Sequence, residues 1–132
     1  MAEATPPGGE DDAAGQAAIA RARATEQVLR RLSQDRDDVV FAAIFGSWAA
    51  RVTGVSGPPP ADLDLLIVGS IPLLDAYNLA EDAIPLVRHP VNATVLSQAT
   101  WEDTSDPFVA TIRDRPLVTL VDRLAPPGES PS

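Results

Sequence analysis

The sequence predicts a single small α/β (α+β) domain in which helices flank a small mixed β-sheet. Short runs of β-branched and aromatic residues, typical of buried strands, alternate with segments whose apolar residues recur at helical spacing. The chain has 132 residues, of which 45% are hydrophobic, and this is enough for one core. We therefore expect one ordered domain at residues 15–124, with a tail on each side.

Both tails are predicted from their composition. Residues 1–14 are small, acidic and rich in proline and glycine, and no basic residue opposes their four carboxylates. Residues 125–132 contain three prolines and a glycine. Segments of this kind bury too little apolar surface to offset the entropy of ordering, so we expect both to be disordered.

The first half of the domain contains two predicted helices around one strand. Residues 16–32 place their apolar side chains roughly on one face, which indicates an amphipathic helix. Residues 39–45 form an apolar run that ends at Gly46, typical of a buried strand. Residues 47–52 form a short predicted helix, and the glycines and three prolines of residues 53–60 indicate a loop.

The second half alternates strands and helices. Residues 62–68 form an apolar strand, residues 72–86 have helical spacing, and residues 91–96 form a third strand. The last predicted elements are a helix start at residues 97–102, a short helix at 107–113 and a strand at 117–121.

Charge and composition exclude several classes of function. Ten basic residues against 19 acidic ones give a net charge of -9, so nucleic acid is not an expected partner. The chain has no cysteine, which excludes disulfides, thiol catalysis and zinc–cysteine sites. The N-terminus does not resemble a secretory signal, and no apolar run approaches about 20 residues. We therefore expect a cytoplasmic protein without a membrane partner.

Two aspartates are the first candidates for a functional site. Asp62 and Asp64 lie two positions apart in a predicted strand, so their carboxylates leave the same face and can close on divalent cations. Magnesium and manganese prefer oxygen ligands of this kind. The alternative is a carboxylate pair on an edge strand, exposed to solvent and without a ligand.

The segment after the first strand is a candidate phosphate site. A glycine at position 46 lets a phosphate approach the backbone closely, and amides of the following helix could hold it. The Ser47 hydroxyl and the Arg51 guanidinium could add contacts to a triphosphate. In the alternative interpretation, Ser47 is only the N-cap of a helix and Arg51 a surface residue.

Other residues give weaker or negative signals. His89 is the lone histidine and precedes Pro90 in a predicted turn. We interpret it as an exposed turn residue, and the alternative is a catalytic base. Trp48 and Trp101 are predicted to pack in the interior. The chain contains no lysine and neither of the common glycine-rich phosphate-binding motifs.

Segments 45–51 (FGSWAAR), 62–69 (DLDLLIVG) and 90–95 (PVNATV) together resemble the minimal nucleotidyltransferases of the polymerase-β-like superfamily. The resemblance covers roughly residues 39–122 and implies the nucleotidyltransferase fold. It also implies a nucleotidyltransferase activity that depends on Mg²⁺ or Mn²⁺. In that reaction a nucleoside monophosphate passes from an NTP, with ATP the expected donor, to a hydroxyl acceptor. The acceptor could be a protein side chain, as in toxin–antitoxin pairs, a small molecule or a nucleic-acid end, and the acidic chain fits a nucleic acid least. A protein is therefore one of the expected partners.

Carried over by this resemblance, the catalytic residues are Asp62 and Asp64. The third metal-binding position, where active relatives have a carboxylate, aligns with Asn92, whose amide supplies an oxygen but no charge. The alternative function is therefore a catalytically degenerate module that binds a nucleotide or regulates a partner protein. The predicted metal ligands are Asp62, Asp64 and Asn92, and the predicted phosphate-binding residues are Gly46, Ser47 and Arg51. For Asn92 an equal alternative is that its amide caps or bridges polar groups instead of binding a metal.

Overall fold

A computed structural model describes residues 6–55, 57 and 60–124 of the chain, and it describes side chains from Ala20 onward. Five helices and four strands alternate along these residues, and the strands form one sheet. The helices are α1 (Pro6–Gln34), α2 (Gly46–Val52), α3 (Leu73–Val87), α4 (Gln98–Glu102) and α5 (Pro107–Arg113). The strands are β1 (Val39–Phe45), β2 (Leu63–Gly69), β3 (Val91–Leu96) and β4 (Val118–Asp122).

The sheet has the order β3-β2-β1-β4 and is mixed. Strand β1 pairs in antiparallel fashion with β2 on one side and with β4 on the other. Strands β2 and β3 are parallel, and α3 makes the crossover that a parallel pair requires. The predicted α/β class, with a small mixed sheet and flanking helices, is confirmed.

One face of the sheet is covered by α1 and α3. Alternate residues of β2, which are Leu63, Leu65 and Ile67, are fully buried in this layer. Leu29 of α1 is fully buried against them, and Trp48 of α2 belongs to the same layer. This is the larger of the two apolar layers.

The other face is covered by α4 and α5. Leu66 and Val68 of β2 point into this second layer. Phe41 of β1 stacks on Trp101 of α4, with ring centroids 5.2 Å apart. The Arg113 guanidinium lies 4.0 Å from the centre of the Trp101 ring and donates to the Trp101 carbonyl at 2.7 Å. Trp48 and Trp101 are both buried, so their predicted packing roles are confirmed.

Arginines attach the long helix α1 to the sheet. Arg30 Nε donates to the carbonyl of Leu120 in β4 at 3.1 Å. Arg123, just after β4, donates to the carbonyls of Gln34 at 2.8 Å and Val39 at 2.7 Å. The guanidinium of Arg123 thus satisfies a carbonyl in the last turn of α1, where no helical partner remains.

Most predicted boundaries agree with the structure to within one residue, and α1 is the exception. It begins at Pro6 instead of residue 16, because proline is tolerated in the first turn of a helix, where its missing N–H has no partner to lose. The tail predicted at residues 1–14 thus overlaps α1 from position 6. Residues 1–5 and the tail predicted at 125–132 lie outside the described residues. Among the described helices, none has the length and apolar character needed to cross a membrane.

Replacing Leu29 with alanine should lower the free energy of unfolding by ~2–5 kcal/mol, because the side chain is fully buried and its loss leaves a cavity. Leu74→Ala is the matched control, since Leu74 also lies in a helix but is 68% exposed. We expect a change within ~0.5 kcal/mol for Leu74→Ala in the same urea titration. Equal losses for the two variants would contradict the assignment of the core.

Candidate functional site

Asp64 is the charged residue of β2, whose other side chains are apolar. It lies opposite Phe45 of the antiparallel strand β1 and beside Asn92 of the parallel strand β3. Because side chains alternate along a strand, Asp64 faces the same side of the sheet as Leu66 and Val68. The carboxylate therefore lies at the end of the second apolar layer and is half-buried.

Asp62 lies one residue before β2 and is exposed. The prediction placed both aspartates within the strand, but β2 begins at Leu63, so strand geometry does not orient Asp62. Its carboxylate is instead held by Asn92, whose Nδ2 donates to Asp62 Oδ2 at 2.9 Å. The structure thus brings together Asp62, Asp64 and Asn92, the three residues predicted as metal ligands.

The pKa of Asp64 is shifted by its burial and by its two neighbours. Burial of the carboxyl raises its pKa above the ordinary value, and the negative charge of Asp62 raises it further. The hydrogen-bonding amide of Asn92 opposes both effects. A positive charge at this point would favour the ionised form of Asp64.

Gly46, between β1 and α2, lies directly against Asp64. Its φ of 74° is a conformation that other residues rarely adopt. A Cβ atom at this position would collide with Asp64 Oδ2. Glycine is therefore required twice here, for the backbone conformation and for the close approach of the carboxylate.

Ser47 follows in the first turn of α2, and its side chain is exposed. The N-cap position of α2 is Phe45, and no side chain caps the helix. The alternative that Ser47 is the N-cap is therefore wrong, because Ser47 lies two residues inside the helix. Ser47 directly follows Gly46, the residue that contacts Asp64.

Arg51 lies in the last turn of α2, at the opposite end of the helix from Gly46. Its Nη1 donates to the Val55 carbonyl at 2.7 Å. The guanidinium also lies where a Cβ of Gly57 would be. These contacts attach Arg51 to the loop after α2, and its role toward a triphosphate stays a prediction.

His89 lies in the turn between α3 and β3, as expected, but it is not an isolated surface residue. Its ring meets the Trp48 ring edge to face, with centroids 5.2 Å apart and an interplanar angle of 70°. This contact connects the turn before β3 with α2. His89 therefore helps to pack the elements that carry Asn92 and Ser47.

Sequence reasoning missed an aromatic pair next to the carboxylates. Phe45, directly opposite Asp64, meets Phe108 of α5 edge to face with centroids 6.2 Å apart. Asp106 positions Phe108 by accepting the amides of Phe108 at 2.9 Å and Val109 at 3.1 Å. The Asp-Pro start of α5 was the available signal, because it places residue 108 in the first helical turn.

The described residues contain no group of three or more histidines, cysteines, aspartates and glutamates that could hold a metal ion. The site thus consists of two carboxylates, one amide and a glycine turn.

No protein-family model matches the chain, and no curated protein sequence matches it. Among solved structures, the chain is similar to a chain in a complex of a tri-AMPylated HEPN toxin of Shewanella oneidensis with an MNT antitoxin. That similarity has a TM-score of 0.49 and 13% identity, and covers 76% of this chain and 72% of the other. A candidate nucleotidyltransferase from Sulfolobus solfataricus is similar at a TM-score of 0.46 and 18% identity, over 75% and 79% of the two chains.

Gly46→Ala should destabilise the protein by ~1–3 kcal/mol, since alanine would have to keep a positive φ and would also displace the Asp64 carboxylate. Gly54→Ala is the matched control, because Gly54 has a φ of 104° but open space around its Cα. Thermal unfolding should show the larger loss for Gly46→Ala. If the loss of stability is no larger than that of Gly54→Ala, the contact with Asp64 does not contribute to the destabilisation.

Asp64→Asn should stabilise the metal-free protein at pH 7. The pKa of Asp64 is raised in the folded state, so the folded chain binds the proton more tightly than the unfolded chain. Ionisation therefore costs stability in full above the folded-state pKa, and this cost disappears below the ordinary value of about 3.9. The advantage of Asp64→Asn should accordingly shrink as the pH falls from 7 to 4.

Asp103→Asn provides the control of opposite sign for this measurement. Asp103 accepts hydrogen bonds from the Ser105 hydroxyl at 2.6 Å and the Ser105 amide at 3.0 Å, which lower its pKa. Its substitution should destabilise the protein at pH 7, with a difference that also shrinks toward acid pH. Melting temperatures in EDTA across this pH range check both signs, and a destabilised Asp64→Asn at pH 7 would refute the first.

Proposed function

We propose that the chain is a nucleotidyltransferase that depends on a divalent cation and transfers a nucleoside monophosphate from an NTP to a hydroxyl. The observation that carries this proposal is the convergence of Asp62, Asp64 and Asn92 beside the left-handed turn at Gly46. The sequence resemblance supplies the reaction type. The structure supports it by bringing the matching residues together from three separate segments.

The residues present fit a hard divalent cation. Carboxylate oxygens are the ligands that Mg²⁺ and Mn²⁺ prefer, and burial together with the charge of Asp62 raises the pKa of Asp64. Asp62 and Asp64 would hold the cation. When bound, it would polarise the attacked phosphate and stabilise charge on the oxygens of the transfer.

The chain's own residues have separate tasks in this proposal. Gly46 leaves the backbone open to a phosphate group, and the exposed Ser47 hydroxyl can donate to a phosphate oxygen. Asp64, half-buried against Gly46, would hold the cation close to that phosphate group. Phe45, opposite Asp64 in the sheet, and its ring partner Phe108 add apolar surface beside the site.

ATP is the proposed donor and a protein side chain the proposed acceptor, both by the sequence resemblance. The net charge of -9 supports a protein over a nucleic acid, because a phosphate backbone would be repelled.

A second function is favoured by one observation, the neutral amide at position 92. With two carboxylates at the site and Asn92 donating to one of them, the chain could bind a nucleotide without transferring it. In this form it would act as a nucleotide-binding or protein-interaction regulator. Turnover separates the two functions.

Calorimetric titration of ATP, GTP, CTP and UTP with Mg²⁺ or Mn²⁺ tests the site. We expect metal-dependent binding that the double variant Asp62→Asn, Asp64→Asn weakens more than about tenfold, equivalent to ~1.4 kcal/mol. Asp82→Asn is the matched control, because it removes one exposed carboxylate from α3 and should change nothing.

Release of pyrophosphate from the bound nucleotide then tests the reaction, with transfer of labelled nucleotide to proteins used to find the acceptor. Binding without release would favour the regulatory function. A folded wild-type protein that binds no nucleotide with either metal would contradict both functions.

A further inference from the structure

The contact made by Asn92 agrees with one of its two predicted roles, a bridge between polar groups. A metal ligand, the other predicted role, would offer its amide oxygen. In the structure it is the amide nitrogen that meets the site, since Nδ2 donates to Asp62 Oδ2 at 2.9 Å. The distance is that of a good hydrogen bond to a charged acceptor.

Chemistry fixes the direction of this amide. An ionised carboxylate only accepts hydrogen bonds, so the side of the amide that faces Asp62 must be the donating one. Turning the amide over would place Asn92 Oδ1 against Asp62 Oδ2, and two acceptors at this distance repel each other. While Asp62 is ionised and no cation is bound, the oxygen of Asn92 therefore points away from Asp62.

The same amide acts on the second carboxylate. Asn92 and Asp64 are direct neighbours in the register of β3 and β2, and its hydrogen-bonding side chain favours the ionised form of Asp64. The donor group of Asn92 thus partly stabilises the negative charge of both carboxylates, as a cation would. Because β3 is paired along its length with β2, the amide is held in this place by the sheet.

We propose that Asn92 competes with divalent cations for Asp62, so that a cation binds weakly alone and tightly only with the phosphate oxygens of a nucleotide. Here Asn92 is a positioning residue that couples cation binding to nucleotide binding. This inference rests on the proposed function for its biological meaning. Its physical content, a hydrogen bond that opposes cation binding, is tested separately below.

Mn²⁺ binding provides the test, followed by the electron paramagnetic resonance of the free ion, with and without a nonhydrolysable ATP analogue. Asn92→Asp replaces the competing donor with a carboxylate and should lower the Kd for Mn²⁺ alone at least tenfold. Asn92→Ala removes the competing donor without adding charge and should also lower the Kd. Gln27→Glu is the charge-matched control on the exposed face of α1 and should not alter the Kd.

Thermal unfolding gives a second readout. Asn92→Asp places a third carboxylate beside Asp62 and Asp64, so in EDTA its Tm should fall below that of the wild type. Saturating Mn²⁺ should raise the Tm of this variant more than that of the wild type, because the ion binds only the folded chain with high affinity. A variant that simply failed to fold would not show this recovery.

Two results would overturn the inference. If Asn92→Ala binds Mn²⁺ no more tightly than the wild type, the amide does not compete with the cation. If Asn92→Asp binds Mn²⁺ no more tightly than the wild type, position 92 does not limit cation binding. If Asn92→Ala binds Mn²⁺ more tightly than the wild type but the ATP analogue tightens binding in neither, the competition at Asp62 stands, whereas its coupling to a nucleotide and the proposed function fail.

Discussion

The structure depends on the burial of β1 and β2 on both faces of the sheet. Both strands have neighbours on either side, and their side chains enter two separate apolar layers. A charged residue in such a strand costs free energy unless its charge stays hydrated, paired or hydrogen-bonded. Asp64 is tolerated because it lies near the end of β2, where the second layer stops and Gly46 leaves room for its carboxylate. The position of the candidate site is thus set by the point at which the second apolar layer ends.

Three short-range constraints then define the site from different parts of the chain. Parallel pairing of β2 and β3 puts Asn92 beside Asp64, while the hydrogen bond from Asn92 places Asp62. The left-handed turn at Gly46 brings the start of α2 against the same carboxylate. None of these contacts joins residues close in sequence except the aspartates themselves. Correct strand pairing is therefore a precondition for the site.

The fold could be predicted from the sequence wherever one local rule dominates. The apolar runs of β1 and β3 and the Asp-Pro start of α5 placed those elements at their observed boundaries. The predicted site residues Asp62, Asp64 and Asn92 also come together, because the strands that carry Asp64 and Asn92 pair side by side. The apolar pattern of the sequence was sufficient to locate both strands. Sequence could not give the direction of the Asn92 amide, the Phe45–Phe108 contact or the early start of α1. The first two depend on register between distant segments, and the third on a proline tolerated in the first turn.

The two tryptophans have a practical consequence for following this protein in solution. Trp48 lies in the layer under α1 and α3, one residue after Ser47, whereas Trp101 lies in the opposite layer, between Phe41 and Arg113. Each layer of the domain therefore carries its own intrinsic fluorophore. With one tryptophan replaced by phenylalanine at a time, emission from Trp48 would report on ligands at the Gly46 turn and emission from Trp101 on the docking of α4 and α5. The separate assembly of the two halves of the core could then be resolved in time without attaching any label.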